Sequence, residues 1–99
     1  MFTIKRTNAF AAWLDGLKDR KTRMRLNRRL DRAQCGHLGD VQTVGAGLFE
    51  MREHFGPGWR MYYVQRGTAL IVMLGGGDKS TQSSDIAKAA QIAATIVED

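Results

Sequence analysis

Residues 48–74 read LFEMREHFGPGWRMYYVQRGTALIVML, and this stretch decides the fold because it predicts consecutive β-strands joined by tight turns. Leu48, Glu50 and Arg52 occupy alternate positions and therefore share one face of the first strand. Turns are predicted at Phe55-Gly56-Pro57-Gly58 and at Arg66-Gly67, since proline restricts φ and glycine allows positive φ. We expect an antiparallel meander with strands from about Val44 to Arg52, Trp59 to Gln65 and Thr68 to Leu74.

Two helices are predicted before this meander, after a short strand at residues 2–6. Asn8 can cap the first helix, because its side chain can accept a hydrogen bond from a free amide of the first turn. Its apolar residues have the spacing of one buried helix face: Phe10, Trp13, Leu14 and Leu17. Asp19 can cap a second helix over residues 20–34, and Gly36 supplies a left-handed stop.

The remaining segments complete the predicted order of elements. Residues 37–43 indicate a polar loop, and Gly75-Gly76-Gly77 is expected to end the last strand. A final helix is predicted over about 82–97, with a buried face of Ile86, Ala90, Ala93 and Val97. The order β-α-α-β-β-β-α predicts one α+β domain over residues 1–99, an antiparallel sheet with the first strand at its edge and the helices packed on one face.

Composition limits the cellular location and the partners of the chain. The formal net charge is +5, which favours a polyanion or an acidic protein as partner. The longest apolar run, Ala69 to Leu74, is six residues long, too short to span a membrane. The N-terminus lacks the apolar core of a signal peptide, and the single cysteine, Cys35, cannot form an internal disulfide. We therefore expect a cytoplasmic protein with no membrane partner.

Positive charge is concentrated in the second predicted helix and just before it. Residues 18–32 hold eight of the fifteen basic residues of the chain. This run can be a solvated helix face, or it can contact the phosphates of RNA without reading the base sequence. The predicted RNA-binding residues are Lys21, Arg25, Arg28, Arg29 and Arg32, together with Tyr62, whose ring could stack on a base.

A second group of charged residues lies on the sheet. The Gly-Pro-Gly turn brings Arg52 and Arg60 to the same end of a hairpin, where their guanidinium groups could share one phosphate. Glu50 is on the same face as Arg52, so a cross-strand Glu–Arg ion pair is the alternative. Lys79 follows the last strand at the start of the last helix, where it suits a phosphate or is simply a surface lysine beside a helix cap.

No metal site or nucleotide site is predicted. Gly77-Asp78-Lys79-Ser80-Thr81-Gln82 lacks the glycine before the lysine that a phosphate-binding loop requires. The two histidines, His37 and His54, have no partners at the spacing of metal ligands, so we expect no metal and no cofactor. His54 could serve as an acid or base near neutral pH, but the spacing alone favours an ordinary surface role.

Several segments occur together, in an order that is characteristic of one family. They are Phe10-x-x-Trp13-Leu14-x-x-Leu17, Glu50-Met51-Arg52, Gly56-Pro57-Gly58-Trp59-Arg60-Met61-Tyr62-Tyr63 and Gly77-Asp78-Lys79-x-Thr81-Gln82. In combination, and over nearly the whole chain, they resemble the addiction-module killer proteins. These form the phage Gp49-like and HigB-like branch of the RelE/ParE toxin superfamily.

The resemblance implies a RelE-like, microbial-RNase-like fold and a toxin that cleaves mRNA without metal, usually on the ribosome. It also implies a small cognate antitoxin, often a helix-turn-helix protein, with operator DNA bound only through that antitoxin. By the same resemblance the catalytic residues are Arg60, Lys79 and Arg52. Glu50 stands where RelE itself has a lysine, and the tyrosine near the C-terminal helix of RelE is missing. The general base is therefore open between Glu50 and His54.

Two other functions share this fold. A ParE-like toxin would bind and poison DNA gyrase without cutting RNA, and a degenerate toxin would bind only its antitoxin and DNA. Fold alone does not separate these functions. The grouping of Arg52, Arg60 and Lys79 favours an endoribonuclease.

Overall fold

The computed structural model describes residues 1–96. Its strands are β1 (Thr3–Arg6), β2 (Val41–Gly45), β3 (Leu48–Arg52), β4 (Trp59–Arg66) and β5 (Leu70–Asp78). Its helices are α1 (Asn8–Asp15), α2 (Arg20–Gln34) and α3 (Gln82–Thr95), and a 3₁₀ turn at Lys79–Thr81 leads from β5 into α3. The predicted α+β class is confirmed, and three details of the sheet and its layers differ from the prediction.

The first difference is the direction of β1. The sheet has the order β1-β5-β4-β3-β2, and β1 runs parallel to β5, with Thr3 opposite Leu70 and Arg6 opposite Met73. The sheet is therefore mixed, whereas we predicted an antiparallel one. Tight turns join β3, β4 and β5 and force antiparallel neighbours, but the long connection between β1 and β5 includes two helices and imposes no such direction.

The second difference is the extent of the strands. Val41–Gly45 is an edge strand paired with β3, although residues 37–43 were predicted as a loop. Its side chains are mostly exposed, so it lacks the apolar alternation that identifies a half-buried strand. β5 also continues through its three glycines to Asp78, still paired with β4. A Cβ atom on Gly76 would lie 2.5 Å from the Trp13 ring. α1 can therefore pack closely against β5 because residue 76 has no side chain.

The third difference is that helices cover both faces of the sheet, not one. α1 and α2 pack on the face formed by Met51, Met61, Tyr63, Ile71 and Met73. α3 packs on the opposite face against Leu48, Tyr62, Val64, Val72 and Leu74, with Ala89 buried and the predicted Ile86, Ala90 and Ala93 partly buried. The central strands are thus buried on both sides, which accounts for the unbroken apolar run in β5.

The helix ends follow local rules, with one shift. Thr7, not Asn8, caps α1: its hydroxyl accepts from the Phe10 amide at 3.1 Å and donates to the Met73 carbonyl at 2.9 Å. Asp19 caps α2 as predicted, and Gly36 has a φ of 96°. Val97, predicted to be buried by the last helix, lies outside the described residues. Within residues 1–96, no helix is long and apolar enough to cross a membrane.

Candidate functional site

The turn between β3 and β4 brings two basic side chains together. Gly58 has a φ of 82°, and a Cβ atom there would lie 2.7 Å from the Lys79 side chain and 3.6 Å from Arg60 Nη1. The Lys79 side chain therefore lies across the turn, directly over a glycine whose positive φ other residues rarely adopt. Asp78 fixes the start of the 3₁₀ turn by accepting a hydrogen bond from the Ser80 amide at 2.8 Å. A cavity of about 290 Å³ adjoins these residues, lined by Glu53, His54, Gly56, Pro57, Gly58 and Lys79.

Arg60 is beside this cavity but is only 4% exposed. Its Nη1 donates to the carbonyls of Glu53 at 2.9 Å and Trp59 at 3.0 Å. Its Nε lies 3.7 Å from Glu50 Oε1. Within residues 1–96, Nη2 makes no hydrogen bond. Arg60 can therefore offer Nη2 to an anion, a single nitrogen and not the two of a bidentate guanidinium.

Glu50 is buried, with 2% of its surface exposed. Its Oε2 accepts from Gln82 Nε2 at 2.6 Å, so it ties the sheet to the start of α3. The Glu–Arg ion pair, which was the alternative to a shared phosphate, exists between Glu50 and Arg60 and lies inside the protein. Because the carboxylate is enclosed, the role of proton acceptor that we considered for Glu50 does not fit its position.

Tyr62 is fully buried in the core beneath α3. Its hydroxyl lies near the Glu50 carboxylate without a well-formed hydrogen bond. Burial first, and then the nearby negative charge of Glu50, raise the pKa of Tyr62 well above that of a free tyrosine. The predicted stacking of this ring on a base is incompatible with its buried position.

Arg52 lies directly opposite Arg60 in the β3–β4 ladder, as the hairpin predicted. Its guanidinium does not join Arg60 in a shared site but pairs with Asp40, through Nη2 at 3.1 Å from Oδ1 and Nε at 3.3 Å from Oδ2. Asp40 also binds His54 Nε2, at 2.7 Å from Oδ2. Asp40 was not predicted as a site residue, because it lay in the segment interpreted as a loop.

The predicted RNA-binding residues of α2 divide into two groups. Lys21, Arg25, Arg28 and Arg32 are exposed and recur at helical spacing along one side of the helix, and we call them the basic stripe. Arg29 is 7% exposed and points inward. Its guanidinium binds the carbonyls of Leu38, Asp40 and Arg52 and the carboxylate of Glu53. Arg29 is therefore a structural residue, and the RNA contact predicted for it does not fit this position.

The basic stripe and the cavity are neighbours. A smaller depression of about 150 Å³ is lined by Arg25, Arg28, Arg29, Arg32 and Glu53, and Glu53 also lines the cavity beside Lys79. The Arg25 guanidinium lies 3.7 Å from the centre of the Phe55 ring, in the same turn. A polyanion could therefore contact the stripe and the cavity at once. Within residues 1–96, no group of three or more histidine, cysteine or carboxylate side chains is arranged to hold a metal.

Comparisons with known proteins assign the chain to a family. Residues 12–96 match the family described as phage derived protein Gp49-like (DUF891). An uncharacterized protein of Haemophilus influenzae is 41% identical over 90 residues, which cover 91% of this chain and 91% of that protein. No solved structure matches the chain significantly. Because the family match and the similarity to this relative both cover most of the chain, and because the fold is α+β, the chain belongs to the Gp49-like family of RelE-like addiction-module toxins.

Proposed function

We propose that this toxin is a metal-independent endoribonuclease that cleaves mRNA, in association with the ribosome, and so inhibits translation. The observation that carries the proposal is the convergence of Lys79 and Arg60 on Gly58, beside a cavity that Lys79 lines and that adjoins the exposed basic stripe. A cation at the cavity and further cations along its approach can neutralise the phosphates of an RNA strand.

The chemistry requires little from the protein beyond positioned charge and a proton acceptor. The 2′-hydroxyl of RNA can attack the adjacent phosphorus, which forms a 2′,3′-cyclic phosphate and releases the 5′ oxygen of the next nucleotide. The phosphorus passes through a pentacoordinate state with extra negative charge. Lys79 is exposed and can contact that charge directly, while Arg60 can add one hydrogen bond through Nη2. Fixed cations of this kind stabilise the transition state more than the substrate.

The basic stripe would hold the RNA backbone on either side of the cleaved bond. Its four side chains are exposed and can each approach a phosphate, with no constraint on which base is present. Such contacts set the position of the RNA and leave sequence or codon choice to other interactions.

Family membership implies a cognate antitoxin, and the charge of +5 suits a partner with an acidic or amphipathic segment. We propose that this antitoxin is a small helix-turn-helix protein, that it covers the basic stripe and the cavity, and that operator DNA is reached only through it. Co-expression of the adjacent small gene should restore growth and yield a stable complex. An adjacent gene product that neither binds nor rescues would contradict this pairing.

Mapping of RNA 5′ ends after expression of the toxin alone tests the nuclease. We expect discrete new ends inside translated messages. Lys79→Ala should lower the cleavage rate about 10²–10³-fold, because one preorganised charge is lost. Lys88→Ala, which removes an exposed lysine of α3, is the matched control and should cleave normally. Intact mRNA together with an SOS response would instead identify a ParE-like gyrase poison, and full cleavage by a folded Lys79→Ala variant would refute the site.

A further inference from the structure

His54 lines the cavity and forms a polar pair with Asp40. Nε2 of His54 lies 2.7 Å from Oδ2 of Asp40, while Arg52 contacts both oxygens of the same carboxylate at 3.1 and 3.3 Å. The backbone of Asp40 is also held, since its carbonyl accepts from Arg29 Nη2 at 2.7 Å and from the Arg52 amide at 3.0 Å. The carboxylate therefore presents a fixed acceptor to the imidazole.

This arrangement determines which nitrogen of His54 is available. The hydrogen bonds from His54 and then Arg52 hold the pKa of Asp40 below its usual value, so Asp40 is an anion at neutral pH. An anionic acceptor places the proton of the neutral imidazole on Nε2 and leaves the lone pair on Nδ1. Within residues 1–96, Nδ1 makes no hydrogen bond, and the His54 side chain is 69% exposed.

The other charged groups around His54 cannot take its place as a proton acceptor. Those on the neighbouring elements are Asp40 before β2, Arg52 at the end of β3, Glu53 in the turn and Lys79 in the 3₁₀ turn. Arg52 and Lys79 are cations, and Asp40 is engaged by two partners. Glu53 is paired with the buried guanidinium of Arg29, and Glu50 lies inside the protein.

We propose that His54 is the catalytic proton acceptor of this toxin and that Asp40, held by Arg52, is its positioning residue. The proposal rests on the proposed RNA cleavage. Nδ1 of His54 takes the proton of the 2′-hydroxyl as the 2′ oxygen bonds to phosphorus. The bond from phosphorus to the 5′ oxygen breaks, and that oxygen takes a proton from water. Asp40 stabilises the imidazolium that forms, as a carboxylate does behind a catalytic histidine.

The test measures cleavage rates against pH, with purified toxin and ribosomes that carry a defined mRNA. The wild-type rate should rise with pH and then level off, because a side chain must be unprotonated to accept the proton of the 2′-hydroxyl. His54→Gln should lower the rate about 10²–10⁴-fold and remove that rise. His37→Gln, which changes the other exposed histidine, is the matched control and should leave the rate and its pH profile unchanged.

Two further variants separate catalysis from structure. Asp40→Asn should move the inflection of the pH profile to lower pH, because the imidazolium loses its anionic neighbour. His54→Ala should regain part of its rate on addition of free imidazole. Folded His54→Gln with the wild-type rate and profile, or Asp40→Asn with an unshifted profile and a rate that falls only with folded protein, would overturn the proposal. A wild-type protein that cleaves no RNA would instead refute the proposed function.

Discussion

Arg28 and Arg29 are adjacent in sequence and chemically identical, and the structure predicts opposite consequences for their loss. Arg29 is buried and makes five hydrogen bonds, four to backbone carbonyls and one to the Glu53 carboxylate. Arg28 is exposed on the basic stripe. Arg29→Ala should therefore destabilise the fold, whereas Arg28→Ala should weaken RNA binding and leave stability almost unchanged.

The size of the effect follows from what Arg29→Ala leaves behind. Removing one partner of a buried ion pair costs about 3–5 kcal/mol, because the remaining charge is uncompensated. Here the remaining charge is Glu53, and the carbonyls of Leu38 and Asp40 lose their hydrogen bonds to the guanidinium as well. Domains of this size have a free energy of unfolding of about 5–15 kcal/mol, so the loss is a large fraction of the total. At about 4–8 °C per kcal/mol, Tm should fall by at least about 12 °C.

Thermal and urea unfolding of the purified variants, followed by circular dichroism, measure this difference. Arg28→Ala is the matched control and should stay within about 0.5 kcal/mol of the wild type. Arg29→Lys should have a Tm between those of Arg29→Ala and the wild type, since lysine keeps the charge but cannot contact several carbonyls at once. If Arg29→Ala unfolds at the same temperature as Arg28→Ala, then the buried guanidinium does not hold α2 to β3, and the reasoning is wrong.

Three further predictions concern packing, RNA contact and metal. Gly76→Ala would place a Cβ atom 2.5 Å from the Trp13 ring and should lower the free energy of unfolding, measured by calorimetry, by about 1–3 kcal/mol. Gly75→Ala, where a Cβ atom meets nothing within 4 Å, should leave stability nearly unchanged, and equal Tm values for the two variants would contradict the close contact. For binding of single-stranded RNA, Arg28→Ala should reduce the steepness of log affinity against log salt concentration by about 0.7. Gln34→Ala, which changes another exposed residue of α2, should leave that slope unchanged, and equal slopes for the two variants would show that Arg28 does not contact RNA. RNA cleavage should persist when EDTA removes free divalent ions while polyamines keep the ribosomes intact. Loss of cleavage that only added Mg²⁺ restores would contradict a catalytic site formed by side chains alone.

The sequence predicted the parts of the fold that depend on neighbours in the chain. The cap at Asp19 and the stop at Gly36 located the two ends of α2, and both follow from single-residue geometry. The hairpin of β3 and β4 was predictable for the same reason, since the Gly-Pro-Gly turn determines that Arg52 faces Arg60. The resemblance to the family also pointed to Arg60 and Lys79, and both side chains lie near Gly58 in the structure.

The misses involve contacts between residues far apart in the chain. β2 has little apolar alternation and is stabilised by its pairing with β3, so the sequence pattern predicted a loop over residues 37–43. The direction of β1 and the placement of α3 on the second face depend on how separate elements fill the core. Asp40 was overlooked for a related reason, because its value as a partner of His54 arises only when the β2–β3 pairing brings it to the turn.

Charge shows the same division most clearly. Composition and spacing determined that α2 is basic and that the chain carries a net charge of +5, which favours a polyanion or an acidic protein as partner. Only the tertiary structure decided that Arg28 meets solvent while Arg29 and Glu50 lie inside. The physical reason is that the helical repeat and the strand repeat determine which side chains share a face, whereas burial of that face depends on which distant element packs against it.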